Sequence, residues 1–225
     1  MTEERNCIGI LLAGGLARRM GGADKALREA GGLPLLAHAA AALRPQCLGL
    51  VLSANGDPAR FAQFRLPAVA DNVPGFKGPL AGILAGLDWI AAHVPDAALA
   101  LSVPADMPFL PGDLAVRLIH ARREQSATLA CASSGGRIHH PVALWPVAIR
   151  EDLRDALVVR DVRKVQSFAQ SFSRAIVEWP AGPCDPFFNV NDANDLALAQ
   201  MILSGRESHI AQASSFCHIK SKYSK

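Results

Sequence analysis

The sequence predicts an α/β protein built on a mostly parallel sheet. Short, almost wholly apolar runs at Cys7–Leu12, 48–52 and 97–103 alternate with longer segments whose apolar residues recur at helical spacing. Each run is continuous rather than alternating, as expected of a strand covered on both faces. A later pair of runs joined by the Gly-rich segment 133–136 breaks the alternation and predicts one antiparallel hairpin.

In chain order, Cys7–Leu12 closes on Gly14-Gly15 and leads into a loop that also holds Gly21-Gly22, residues that let a backbone turn and approach a ligand closely. Gly31-Gly32 is a turn signal, and Pro34 can start a helix over 34–44 with Leu35, Leu36, Ala39, Ala40 and Leu43 on one face. The second strand, 48–52, ends in Ser53-Ala54-Asn55-Gly56-Asp57, followed by a short amphipathic helix around 59–64. A weaker strand at 67–70 ends at Asp71, and the loop 72–79 contains Pro74, Gly75, Gly78 and Pro79. Pro79–His93 then reads as a strong helix, with Leu80, Ile83, Leu84, Leu87 and Ile90 on one face. The strand 97–103 delivers the chain to Asp106. A helix is expected over 113–124, strands over 127–132 and 138–145, helices over 146–157 and 161–170, and a strand over 173–179. The extended segment 187–190 leads to a last helix that begins near Asp192 and ends by Gly205. Residues 1–204 are read as a single domain and 205–225, with Lys220, Lys222 and Lys225, as a flexible basic tail.

Composition narrows the function classes. The 225 residues are 50% hydrophobic and 19% charged, which predicts a packed core rather than disorder. A net charge of +3 and a pI near 8.7 are too mild to predict a nucleic-acid partner. The five cysteines, Cys7, Cys47, Cys131, Cys184 and Cys217, show no Cys-x-x-Cys spacing, so free thiols in a reducing cytoplasm are expected. No apolar run approaches the ~18 residues of a membrane helix, and no membrane association is predicted.

In an α/β sheet with right-handed crossovers, ligands bind beyond the carboxyl ends of the strands. Residues 12–15, 53–55, Asp71 and Asp106 all fall at such ends, which gathers them into one candidate site. Arg18, Arg19 and Lys25 add three cations to a loop already rich in backbone donors, a combination suited to a polyphosphate. The loop is neither a Walker A motif nor the Gly-x-Gly-x-x-Gly of a dinucleotide fold. Asp106 suits Mg²⁺, which takes one or two carboxylates and completes its shell with phosphates and water. Asp71 fits a hydrogen bond to a nucleoside. His139 and His140 are adjacent on a strand and so point to opposite faces, one of them inward. The tail residues His209, Cys217 and His218 carry no recognisable ligand spacing. Asn189 and Asn191 place two amides on one side of an extended segment, with Asp192 able to cap the last helix.

Leu12-Ala13-Gly14-Gly15, Arg19-Met20-Gly21-Gly22 and Asp24-Lys25 together resemble the signature of the molybdenum cofactor guanylyltransferases. Gly78-Pro79-Leu80-Ala81-Gly82, Asp106 with Pro108, His140-Pro141, Arg163-Lys164-Val165 and Phe188-Asn189-Val190-Asn191 resemble that family's later motifs, in the same order. The resemblance implies a Rossmann-like three-layer nucleotidyltransferase fold with a mostly parallel sheet and a small antiparallel hairpin insertion. It implies transfer of GMP from GTP to the terminal phosphate of molybdopterin, with GTP held by Leu12, Ala13, Gly14, Gly15, Lys25, Asp71 and Asp106. Mg²⁺ would sit on Asp106, and Arg19, Lys25 and Asp106 would be the catalytic groups. Molybdopterin would lie near His140, Arg163, Lys164, Asn189 and Asn191. Family members often carry Asn where this chain has Ser53, and Asn55 is the candidate to take its place. Molybdenum-insertion and cofactor-delivery proteins are the partners such an enzyme would serve. A cytidylyl transferase on the same fold and a non-catalytic GTP- or cofactor-binding delivery module are the alternatives.

Overall fold

A computed structural model of the chain describes residues 7–14, 24–73 and 78–205. Gly15, Arg18, Arg19, Gly21 and Gly22, the Pro74 and Gly75 positions, and the expected basic tail with Cys217 lie outside the described residues. The strands are β1 (Cys7–Leu12), β2 (Glu29–Ala30), β3 (Leu33–Pro34), β4 (Gly49–Ser53), β5 (Ala68–Val69), β6 (Leu99–Pro104), β7 (Leu129–Ser134), β8 (Arg137–Pro146) and β9 (Arg174–Trp179). The α-helices are α1 (Leu35–Leu43), α2 (Pro79–His93), α3 (Leu114–Glu124), α4 (Arg150–Val158), α5 (Val165–Ala169) and α6 (Ala193–Leu203), with 3₁₀ turns at Lys25–Leu27, Pro58–Phe64 and Val147–Ile149.

Seven strands form one sheet in the order β5-β4-β1-β6-β8-β7-β9. β1 pairs in parallel with both β4 and β6, and its alternate residues feed different cores. Cys7 and Leu11 pack with α1 and α3 on one face, and Ile8 and Ile10 with α2, α4 and α5 on the other. A helix layer on each side therefore explains why the strand sequence is continuously apolar. Among the described strands of this sheet β8 alone runs against the others, set between β6 and β7, so the hairpin is part of the main sheet. A separate two-stranded antiparallel sheet, β2 with β3, turns on Gly31 and Gly32 (φ +61° and +78°) and packs with α6.

Two glycines set how closely α2 lies on the sheet. A Cβ on Gly86 would fall 2.7 Å from Ile10 Cδ1, and one on Gly82 would fall 2.6 Å from Ser53 Oγ. The helix starts at Pro79 behind Gly78, whose φ of +72° is a conformation that favours glycine.

The later helices are shorter than the sequence suggests. The expected helix at 161–170 begins only at Val165, because Asp161 takes φ +51° and Lys164 is extended. That stretch instead closes a turn in which Val162 N donates to Ala156 O at 2.8 Å. The hairpin turn is tighter than the expected four residues: β7 continues to Ser134, and Gly135 and Gly136 (φ +54° and +76°) make the turn alone.

Candidate active site

Because β8 runs antiparallel to both β6 and β7, the carboxyl ends of β5, β4, β1, β6, β7 and β9 lie along one edge with the start of β8. That edge carries residues 12–14, 53–55, Asp71, Asp106 and His139-His140. The first loops are stitched together by their backbones: Ala13 N donates to Ser53 O at 2.8 Å and Ala105 N to Leu12 O at 3.0 Å.

Asp106 and Lys25 form the centre. Lys25, on the 3₁₀ turn that follows the glycine-rich segment, makes a close ion pair with Asp106 Oδ2. Its ammonium also donates to Asn189 Oδ1 at 3.1 Å and to Asn191 Oδ1 at 2.9 Å, so its three protons have three acceptors. Burial holds the Asp106 pKa above its ordinary value, and the Lys25 charge and hydrogen bond oppose that shift without cancelling it. Asp106 Oδ1 is buried with no hydrogen-bond partner among the described residues. An unclaimed carboxylate oxygen is the atom a hard divalent cation would take. Among the described residues, no group of three or more His, Cys, Asp or Glu is placed to hold a metal. A cation here would therefore draw the rest of its shell from phosphates and water, the binding habit of Mg²⁺.

The segment 185–191 is built to hold the two asparagines. Val190 is fully buried and donates its N–H to Asp106 O at 3.1 Å, and Asp195 Oδ2 accepts from Asn191 N at 2.9 Å. Upstream, Asp185 Oδ1 accepts from Ser134 Oγ at 2.7 Å and from Phe187 N at 2.9 Å. His139 Nε2 lies 2.7 Å from Ser134 Oγ, and its ring packs on Phe187. With the Ser134 hydroxyl donating to Asp185, His139 donates from Nε2, and burial, which lowers its pKa to about 4, keeps the ring neutral near pH 7. Asp192 caps α6, accepting from Asn194 N and Asp195 N at 2.9 Å, as its sequence position predicts.

A second cluster lies beside Gly14. Asn55 Nδ2 donates to Asp71 Oδ2 at 2.8 Å while Asp71 N donates to Asn55 Oδ1 at 2.8 Å, a reciprocal pair. A Cβ on Gly14 would be 3.7 Å from Asn55 Nδ2. Ser53 is buried under α2 at Gly82, so at this edge Asn55, not Ser53, presents an amide. Sequence reasoning missed Arg60. Its guanidinium pairs with Asp24 Oδ2 at 2.7 Å, donates to Asn55 O, and stacks over the Phe61 ring at 4.9 Å. An arginine on a short amphipathic turn looks like a solvated charge, and no local signal marks it as anything else.

The structure spreads the remaining candidates. His139 is buried and His140 half-buried, on opposite faces as alternation requires; His140 Nδ1 has no hydrogen-bond partner among the described residues. Burial and the nearby Arg174 charge lower the His140 pKa. Arg163 pairs with Asp161 at 3.1 Å and is well exposed. Its carbonyl lies 3.8 Å from where a Gly78 Cβ would stand, which puts the Arg163-Lys164 strip at the start of α2 rather than on Lys25. Gly15 and Arg19 lie outside the described residues. Cys7 and Cys47 are buried thiols with Sγ atoms 3.8 Å apart on the far side of β1 from α2.

The MobA-like NTP transferase domain matches residues 9–175. A molybdenum cofactor guanylyltransferase of Rhodopseudomonas palustris (strain BisB5) is 60% identical over 86% of this chain and 92% of its own length. One from Bradyrhizobium sp. (strain ORS 278) is 58% identical over 86% and 92%. The crystal structure of molybdopterin-guanine dinucleotide biosynthesis protein A from Archaeoglobus fulgidus superposes with a TM-score of 0.67 at 20% identity, over 88% of this chain and 98% of that one. The 4-diphosphocytidyl-2C-methyl-D-erythritol synthase of Anaerococcus prevotii superposes with a TM-score of 0.65 at 14% identity, over 90% and 97%. At such identities these two show the fold alone. Taken with the matched domain and the curated relatives, the sheet edge around Lys25 and Asp106 belongs to a chain of the MobA-like NTP transferase family, among its molybdenum cofactor guanylyltransferases.

Proposed function

We propose that the chain transfers GMP from GTP to the terminal phosphate of molybdopterin, giving the guanine dinucleotide form of the cofactor and pyrophosphate. The relatives at 58–60% identity are named molybdenum cofactor guanylyltransferase, which supports guanylyl transfer to that cofactor. The observation that carries the assignment of residues is the single ammonium of Lys25, which joins Asp106 to Asn189 and Asn191. One cation thereby touches both halves of a two-substrate site.

In this reading Leu12, Ala13, Gly14 and Gly15 receive the phosphates and Asp71 the nucleoside, while His140, Arg163, Lys164, Asn189 and Asn191 face molybdopterin. A molybdopterin phosphate oxygen forms a bond to the α-phosphorus of GTP in line with the departing β-phosphate oxygen, whose bond breaks and takes the electron pair into pyrophosphate. The nucleophile is already anionic, so no general base is needed. Arg19 and Lys25 stabilise the charge that accumulates on the leaving group. Asp106 would hold Mg²⁺ through Oδ1, and that ion, when bound, supplies charge neutralisation on the phosphates.

A cytoplasmic site of action and hand-over to molybdenum-insertion and cofactor-delivery proteins complete the reading. Among the described residues no helix is long and apolar enough to cross a membrane. Pyrophosphate release measured with molybdopterin and each nucleotide tests the proposal: turnover with GTP alone supports it, turnover with CTP alone makes the chain a cytidylyl transferase, and none makes it a binding module.

A further inference from the structure

The structure assigns Arg60 as a positioning residue that ties the nucleoside side of the GTP site to its phosphate lysine, an assignment that rests on the function proposed above. Arg60 lies on the 3₁₀ turn Pro58–Phe64, whose start Asp57 caps by accepting from Ala59 N at 2.9 Å. From there the guanidinium reaches in two directions. One nitrogen pairs with Asp24 Oδ2 at 2.7 Å, where the Asp24 side chain is only 13% exposed. Another donates to the carbonyl of Asn55. The group is laid flat against Gly56, with Arg60 Nη2 3.5 Å from where a Cβ would stand, and over the Phe61 ring.

Each contact leads to a residue of the candidate site. Asn55 is the residue whose side chain clamps Asp71 by two hydrogen bonds. Asp24 immediately precedes Lys25, whose ammonium sits on Asp106, Asn189 and Asn191. Arg60 thus spans from the loop after β4 to the turn that carries Lys25. A planar fork with several fixed donors suits such a bridge; a lysine ammonium can keep the ion pair but not both bonds with the stacked geometry. Because the guanidinium is already engaged by a carboxylate and a carbonyl, its role is to fix where Asp24-Lys25 and Asn55-Asp71 stand relative to one another.

The test uses the full chain with Mg²⁺, GTP binding by calorimetry and pyrophosphate release with molybdopterin. Arg60→Ala is expected to raise the GTP Kd and KM about tenfold and leave the molybdopterin KM within twofold. Arg60→Lys should fall between it and the parent. Asp24→Asn should weaken GTP by a similar factor, and Arg60→Ala combined with Asp24→Asn should be no weaker than the worse single change, since one contact cannot be lost twice. The proposal is overturned by an unchanged GTP KM in Arg60→Ala, including a lower turnover with both KM values intact, as a merely structural role would give. It is also overturned if Asp24→Asn leaves or tightens GTP affinity, which would make Arg60 a direct nucleotide ligand, or if the two changes are additive. Should Arg60→Ala not fold, Arg60→Lys and Asp24→Asn carry the same comparison. A parent protein that uses CTP in place of GTP defeats the guanylyl reading alone, and the variants are then compared with CTP.

Discussion

Lys25 Nζ donates to Asn191 Oδ1 at 2.9 Å across 166 positions of sequence, closing the site from its first motif to its last. The same ammonium offsets the buried carboxylate of Asp106. Truncating it therefore removes the charge proposed to stabilise the leaving group and strands a carboxylate whose side chain is 16% exposed. Lys25→Ala is expected to cost on the order of 2 kcal/mol of stability, short of the full penalty for breaking a buried pair because water reaches both groups. Turnover should fall at least about a hundredfold, as for loss of one charge-stabilising donor. Urea unfolding and pyrophosphate release read the two effects separately.

Asp106→Asn separates charge from fold. The amide keeps the shape and leaves Lys25 an oxygen to donate to, and burial outweighs the Lys25 charge at this carboxyl, so losing the ionised form should change the melting temperature less than Lys25→Ala does. Turnover should nonetheless be largely lost, because Oδ1 no longer carries the negative charge a divalent cation needs. Near-parental turnover at saturating Mg²⁺ would remove Asp106 from the metal-binding role.

Nucleotide choice has a binding readout independent of chemistry. Ligand at about 100 times its dissociation constant adds about 2.7 kcal/mol, roughly 5 to 11 °C in melting temperature for a chain of this size. GTP with Mg²⁺ should produce that shift and CTP should not. The reverse pattern would overturn the guanylyl assignment.

The close approach of α2 to β1 gives a prediction about the scaffold. Alanine is the better helix former by about 1 kcal/mol, yet a Gly86 Cβ would meet three side-chain atoms of fully buried Ile10 at 2.7 to 2.8 Å. Overpacking of that kind costs about 1–3 kcal/mol, so the clash wins. Gly86→Ala should lower the melting temperature by a few degrees. Gly112→Ala, where nothing lies within 4 Å, should not.

These contacts also mark what the sequence could reveal. Cys7–Leu12 announces a doubly covered strand because both faces need apolar residues, and Asp106 is legible because it ends such a run. The sheet edge that carries the candidate site follows from those ends alone. The two-residue strands β2 and β3 carry no periodicity; their place against α6 depends on Gly31 N donating to Gln200 Oε1 at 2.7 Å and on contact with Leu203, a partner far along the chain. Arg60 with Asp24, and Ser134 with Asp185, are likewise pairings between side chains that look like ordinary solvent-facing polar residues until the fold brings them together.

The buried histidine beneath the Asn189 loop predicts a pH dependence of stability. Burial holds the His139 pKa down to about 4 from an ordinary 6.5; Asp185 and Glu178 oppose the shift, and Arg137 and His140 add to it. Between pH 6.5 and 4 the unfolded chain binds a proton at this position that the folded chain does not. Stability therefore falls as pH falls through that window, by about 1.4 kcal/mol per pH unit for one proton, and the contribution levels off below about pH 4. His140, lowered too, has the same sign, so the parent slope alone does not isolate His139. His139→Gln does: glutamine can donate to Ser134 and cannot titrate. Urea midpoints measured from pH 7 to pH 4 should decline less steeply in the variant, and equal slopes would mean that His139 is already protonated, or already exposed, in the folded protein.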